Sequence, residues 1–239
     1  MGSAVTVRAV VFDLDGLLVD SEPLQIAAWQ AFLAGYGKRL DDGLLNELFG
    51  LRLRDSARLM IERLDLPLTL EQVITERDAI FLDSLAGRLR AMPGAPELVA
   101  ELAERGVPRA LATSGHRRYV ERALAEIGLA GMFPVLVTAE DVEHGKPAPD
   151  CYRLAAGWLG LPPEACLALE DAPLGVRAAR AAGLRCLAIP NEHTRSLPGL
   201  EEANAILPSL HEVLPWLEAQ GWLERNPAQM TDRSSCRGE

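Results

Sequence analysis

Near its start the chain carries an apolar run, Val7 to Phe12 interrupted only by Arg8, that ends in Asp13-Leu14-Asp15-Gly16. A short apolar run closed by a turn residue reads as a buried strand. Gly16 then lets the backbone turn sharply. The strand therefore delivers two carboxylates, Asp13 and Asp15, to its carboxyl end, where open α/β sheets place their ligands. Paired carboxylates at such a point suit a hard cation, through oxygen ligands, or proton transfer. The plainer reading of the segment is an acidic turn after a core strand.

The pattern beyond Ser21 decides the fold class. From Leu24 to Leu89 it is helical, with segments Leu24 to Leu33, Leu44 to Phe49, Ala57 to Leu64 and Leu70 to Leu89. After Pro93-Gly94 helix and strand alternate. Strands are expected at Val107 to Ala112, Val135 to Thr138, Cys166 to Leu169 and Arg185 to Ile189. Helices are expected at Ala95 to Arg105, Arg117 to Ile127, Cys151 to Leu159 with Asp150 as cap, Gly175 to Ala182 and Leu210 to Gln220. Short apolar strands alternating with helices imply an α/β doubly wound parallel sheet. The expected organisation is a core of residues 1–22 and 91–224, an inserted α-helical cap at 23–90, and a disordered tail at 225–239, which is polar and aperiodic.

Composition narrows the partners. With 239 residues, 49% of them hydrophobic, the chain affords one sizeable core. Its formal charge of −10 argues against nucleic acid, which demands a basic face. No apolar run approaches membrane-spanning length. Met1-Gly2-Ser3-Ala4 carries no leader pattern, and the four cysteines, Cys151, Cys166, Cys186 and Cys236, form no CxxC pair. A cytoplasmic protein with reduced thiols is expected. Arginine dominates the basic residues: Lys38 and Lys146 are the two lysines. Lys146, in Gly145-Lys146-Pro147-Ala148-Pro149-Asp150, sits in a stiff loop, where a lysine reads as a chosen ammonium. Lys38 reads as a surface residue.

Other strand ends add to the first. The strand before Thr113-Ser114-Gly115 offers a hydroxyl and free N–H groups at a helix start, which is a phosphate cradle or, equally, an ordinary N-cap. Glu170-Asp171 closes another apolar strand, as metal ligands or as helix caps. Taken together, acidic strand ends, a hydroxyl strand end and a lysine loop at one sheet edge make a Mg²⁺ site facing an anion site.

These motifs, Asp13-Leu14-Asp15-Gly16, Thr113, Lys146 within GKPAPD and Glu170-Asp171 within EDAPLGVRAARAAG, resemble the haloacid dehalogenase superfamily to about residue 220. The helical insertion and Pro190-Asn191-Glu192-His193-Thr194 look like the phosphoglycolate phosphatase and β-phosphoglucomutase branch, with a Rossmann-like core and a helical cap. The resemblance implies Asp13 as nucleophile forming an aspartyl-phosphate, and Asp15 as general acid and then base. It implies Thr113 and Lys146 as holders of the phosphoryl oxygens, and Mg²⁺ held by Asp13, the Asp15 carbonyl, Glu170 and Asp171. Substrate contacts would come from Ser114, Gly115, Gly50, Arg52 and Trp29, although Trp29 reads first as cap packing.

The sequence departs from the branch in places. The mutase histidine and cap arginine fall at Gln25 and Leu53, with Arg52 or Arg54 as possible substitutes for the latter, and Ala172 stands where serine is common. The two cap changes favour a hydrolase over a mutase. His116 could face a leaving group or be a solvated first-turn residue; His144, His193 and His211 read as structural. The expected activity is a Mg²⁺-dependent phosphatase for a small phosphorylated metabolite of the sugar phosphate or phosphoglycolate type, acting as a monomer or weak homodimer with neither nucleic acid nor membrane as partner. The alternatives are a phosphomutase and a catalytically silent binding protein.

Overall fold

A computed structural model describes residues 6–223; the tail expected to be disordered, 225–239, lies outside them. Among the described residues the sheet has six strands, all parallel, in the order β3-β2-β1-β4-β5-β6. They are β1 (Ala9–Phe12), β2 (Arg109–Ala112), β3 (Val135–Val137), β4 (Cys166–Glu170), β5 (Arg185–Ala188) and β6 (Ala205–Ile206). The chain leaves β1 towards β2 and β3 on one side, then crosses back to β4 on the other. The carboxyl end of β1 is thus the switch point of a doubly wound sheet, where a crevice opens.

Alternation along the strands sorts the core by size. Val10 and Phe12 join Leu111, Leu167, Leu169 and Leu187 on one face. There they pack against α5 (Ala95–Glu104), α6 (Arg117–Glu126) and α9 (Val213–Ala219). Ala9, Val11, Ala110, Ala112, Ala168 and Cys186 make the other face. Those small side chains meet α7 (Asp150–Trp158) and the alanine-rich α8 (Pro173–Ala182). Both helices start at the carboxyl edge of the sheet.

Between β1 and β2 lie α1 (Glu22–Ala34), α2 (Asp42–Leu48), α3 (Leu53–Leu64) and α4 (Leu70–Ser84). They carry an apolar cluster of their own, including Trp29, Phe32, Leu48, Met60 and Val73.

Several boundaries differ from the sequence reading. β1 starts at Ala9, because the N–H groups of Val7 and Arg8 go to Trp222 and Ala165. β2 starts after Pro108, which has no N–H to donate. α4 ends at Ser84, five residues early, ahead of Gly87 at φ 66°. α9 is preceded by a 3-10 turn over Leu210–Glu212. Asp150 is the first residue of α7 rather than its cap, and its carboxylate accepts the His144 N–H at 3.2 Å. β6 is two residues long, too short to show periodicity in sequence.

Candidate active site

The site grows from the end of β1. Asp13 is buried, and its Oδ1 accepts a 2.6 Å hydrogen bond from Lys146 Nζ. The same ammonium donates to Glu170 Oε1 at 2.6 Å, and Tyr152, wholly buried in α7, donates its hydroxyl to that oxygen. Burial opposes the charge on Lys146, but Asp13 and Glu170 more than offset this, so it holds its proton well above the usual lysine value. Glu170 reaches inward because the first turn of α8 makes room: a Cβ on Gly175 would lie 2.0 Å from its carboxyl carbon.

Asp13, Glu170 and Asp171 each offer an oxygen, and these ligand atoms all lie within 4.8 Å of one another. Burial, then Glu22 and Asp13, push the Asp171 carboxyl well above the usual range. Burial raises Glu170 to about 7 and Glu22 to about 8. Buried carboxylates that repel one another in this way fit a divalent cation, which supplies the missing positive charge through hard oxygen ligands. Gly16 permits the crowding. It turns at φ 75°, and a Cβ there would meet Glu22 Oε1 at 2.0 Å and Asp171 Oδ2 at 2.4 Å.

Asn191 fastens this side. Its amide nitrogen lies 3.1 Å from the Gly16 carbonyl and 3.0 Å from both Glu22 Oε1 and Asp171 Oδ2. Glu22 is buried at the start of α1, although a glutamate there reads in sequence as ordinary first-turn acidity. Asn191 falls in the Pro190-to-Thr194 stretch that carries the family resemblance, but neither role is legible there; both depend on loops that meet only in the fold.

Asp15 faces the cavity between sheet edge and helical insertion. Its Oδ1 accepts hydroxyl protons from Ser21 and Tyr119. Burial, with Asp13 adding repulsion, raises its pKa to about 6. The Tyr119 phenol, buried against Asp15, stays protonated well above the usual tyrosine value.

Thr113 follows β2 at the same edge; it is buried, and its hydroxyl accepts the Gly115 N–H at 3.0 Å. Ser114 and Gly115 line the cavity, but the Ser114 hydroxyl donates to the Gly50 carbonyl at 2.9 Å, joining sheet edge to insertion. Trp29 is both packing and wall: it is buried, lines the cavity and lies under the Arg77 guanidinium.

Arg77, which the sequence did not flag, is buried in α4 between Trp29 and Phe81 and donates to the backbone and side-chain oxygens of Gln25. Burial lowers its pKa to about 10, and its Nε has no hydrogen-bond partner among the described residues. Leu53 and His116 also line the cavity, and His116 Nδ1 lies 3.3 Å from Glu140.

Arg52, expected to touch substrate, is not among the residues of the cavity wall; it donates to the carbonyls of Glu143 and Val142 and pairs with Asp55 at 2.8 Å. The reason is positional: it precedes α3, and the neighbouring residues Leu51 and Leu53 take the cavity wall. Arg54 pairs on the surface with Glu71.

A family model for haloacid dehalogenase-like hydrolases matches residues 7–183. The chain belongs to that family. Among curated relatives of this haloacid dehalogenase-like hydrolase is a probable pseudouridine-5'-phosphatase of Drosophila melanogaster, 36% identical over 211 residues, covering 86% of this chain and 90% of the relative. Hexitol phosphatase A of Escherichia coli K12 is 35% identical over 207 residues, covering 86% and 93%. Among solved structures, CbbY from Rhodobacter sphaeroides in complex with phosphate superposes with a TM-score of 0.79 at 29% identity, covering 87% of this chain and 96% of CbbY. Among the described residues, no helix of the hydrolase is long and apolar enough to cross a membrane.

Proposed function

We propose that this chain is a Mg²⁺-dependent phosphatase that releases phosphate from a small phosphorylated metabolite through an aspartyl-phosphate. The observation that carries the reading is Lys146 fastened to Asp13 Oδ1 at the carboxyl end of β1, two residues before an acid with a raised pKa. The phosphatase relatives support the reaction class, and the names of the sugar-type phosphatases among them support a carbohydrate-like substrate.

Asp13 has its Oδ1 engaged by Lys146, which leaves Oδ2 to attack phosphorus. A bond forms between that oxygen and phosphorus, and the bond from phosphorus to the leaving oxygen breaks. The electron pair goes to the leaving oxygen, which takes the proton of Asp15. Asp15, now a carboxylate, takes a proton from water as the water oxygen attacks phosphorus. The Asp13–phosphorus bond breaks, and free phosphate departs. Lys146 and the hydroxyl and N–H groups at Thr113 to Gly115 balance the phosphoryl charge. Asp13, the Asp15 carbonyl, Glu170 and Asp171 would hold Mg²⁺, which supplies the charge that lets an anionic nucleophile approach an anionic substrate. The helices α1 to α4 act as a cap that shields the site. A proton donor for the leaving oxygen is also what a dehalogenase would not need.

The phosphomutase alternative is weaker. Gln25, where related mutases carry histidine, is bound to Arg77 and has no proton to exchange, and Leu53 replaces the cap arginine. A monomer or weak homodimer in the cytoplasm completes the reading. The test is phosphate release over a panel of hexose, hexitol, nucleoside and two-carbon acid phosphates, with Asp13→Asn as control. Mg²⁺-dependent release that vanishes in folded Asp13→Asn supports the reading; release by that variant at the parent rate refutes it.

A further inference from the structure

The proton of Asp15 has two oxygens to choose from, and the structure treats them differently. Oδ1 accepts from Ser21 Oγ at 2.5 Å and from the Tyr119 hydroxyl. Oδ2 meets no hydrogen-bond donor among the described residues, and Asp15 forms part of the cavity wall. An oxygen whose lone pairs receive two O–H donors can take a proton only by expelling one of them. An oxygen without a donor takes it freely.

Tyr119 itself is held from both sides. Its ring packs on Phe81 of α4, with centroids 5.1 Å apart and planes at 60°. Its edge lies so close to Gly115 that a Cβ there would stand 3.0 Å from Tyr119 Cδ1. The phenol is therefore clamped between the loop after β2 and the helical insertion, with its hydroxyl on the carboxyl group of Asp15.

We propose that Tyr119 is a positioning residue: with Ser21 it loads Oδ1 of Asp15, so that the transferable proton resides on Oδ2, facing the leaving oxygen. Phe81 of α4 braces the ring that carries this hydroxyl. The inference rests on the reading of Asp15 as general acid and adds to it the oxygen that carries the proton and the side chain that selects it.

The experiment compares Tyr119→Phe, Asp15→Asn and the parent, each as the full chain, on p-nitrophenyl phosphate and on an alkyl ester such as glucose 6-phosphate, by single-turnover and steady-state kinetics. An aryl leaving group departs without a proton, whereas an alkoxide needs one. Tyr119→Phe keeps the ring and loses the hydroxyl. The single-turnover rate of phosphoenzyme formation from the alkyl ester is expected to fall about tenfold, with less than about a twofold change from the aryl ester and the half-saturating concentration in those titrations unchanged for both. Asp15→Asn should show the same asymmetry, only larger.

A loss that is equal on the two esters, or no loss, would assign Tyr119 a packing role and overturn the proposal while Asp15 keeps its asymmetry. If Asp15→Asn itself shows no asymmetry, the acid assignment fails and the proposal falls with it. Should Tyr119→Phe fold poorly by circular dichroism, Ser21→Ala removes the other donor to the same oxygen. It should give the same alkyl-selective loss, and an equal loss on both esters would overturn the proposal in the same way.

Discussion

Arg52 lies against Gly145 so closely that a Cβ on the glycine would come within 2.4 Å of the arginine Nε. The guanidinium continues to the Glu143 carbonyl at 3.0 Å, and thus ties the insertion to the loop that carries Lys146. Two further ties flank it: Ser114 Oγ to the Gly50 carbonyl at 2.9 Å, and Phe49 stacked on His193 with centroids 6.0 Å apart.

Arg52→Ala is expected to loosen this closed arrangement without touching the reacting groups. KM should rise about threefold to tenfold and thermal stability should shift by only a few degrees. Gly145→Ala should have a similar effect by displacing the side chain. The double variant should be no worse than Arg52→Ala alone, because both changes break one contact. Additive losses in KM would show that the two residues act separately.

Lys146→Met removes the one ammonium between Asp13 and Glu170 and leaves both carboxyls buried. Breaking a buried pair in this way costs about 3–5 kcal/mol. Urea unfolding in metal-free buffer should show a loss of that order at neutral pH. Turnover should fall at least about a thousandfold. An unchanged midpoint would mean that the pair contributes nothing to the fold.

The acidic cluster makes a prediction about pH. Burial raises Asp15 to about 6, Glu170 to about 7 and Glu22 to about 8. The folded, metal-free protein therefore holds more protons than the unfolded chain between the ordinary carboxylate value and about pH 8. Its stability from this cluster is complete below that ordinary value and is lost as pH rises through the folded values. Differential scanning fluorimetry should show the metal-free melting temperature contribution declining from about pH 5 to about pH 8. Added Mg²⁺ should raise the melting temperature more at the upper pH, where the carboxylates are charged. An equal shift at both pH values would contradict the cluster as the binding locus.

Hydrolase and mutase differ in the fate of the phosphoenzyme. With β-glucose 1-phosphate and a hexose bisphosphate primer, phosphorus NMR should show inorganic phosphate as the dominant product and isomerised sugar phosphate as minor. A mutase has to exclude water while a sugar hydroxyl attacks. The residue at the mutase histidine position, Gln25, is instead bound by Arg77. Rapid conversion to glucose 6-phosphate with little free phosphate would favour the mutase.

The strand-turn motif of Asp13 and Asp15 was readable because its chemistry is local: an apolar run, two acids and a glycine within a few residues. The same holds for Lys146 in its proline loop and for Glu170-Asp171 at the end of an apolar strand. Alternation of strands and helices also carried the parallel, doubly wound sheet, since each element buries one stripe or face whatever its neighbours are. β6 escaped because two residues show no period, and the end of α4 escaped because its apolar pattern runs past the point where Gly87 turns the backbone.

What only the tertiary structure decided is which side chains meet. Glu22 and Asn191 are 169 residues apart in sequence, and Tyr119 and Asp15 are 104 apart, yet each pair shares a hydrogen bond. Arg52 and Arg77 look alike in sequence, one before a helix and one within it, but one bridges the insertion to a core loop and the other is buried and forms part of the cavity wall. The sequence by itself determined the chemical groups and the sheet edge that presents them, because those depend on patterns a few residues long. Their partners, their protonation and the closure of the insertion over them depend on burial and on contacts between distant segments, and these exist only once the core has packed.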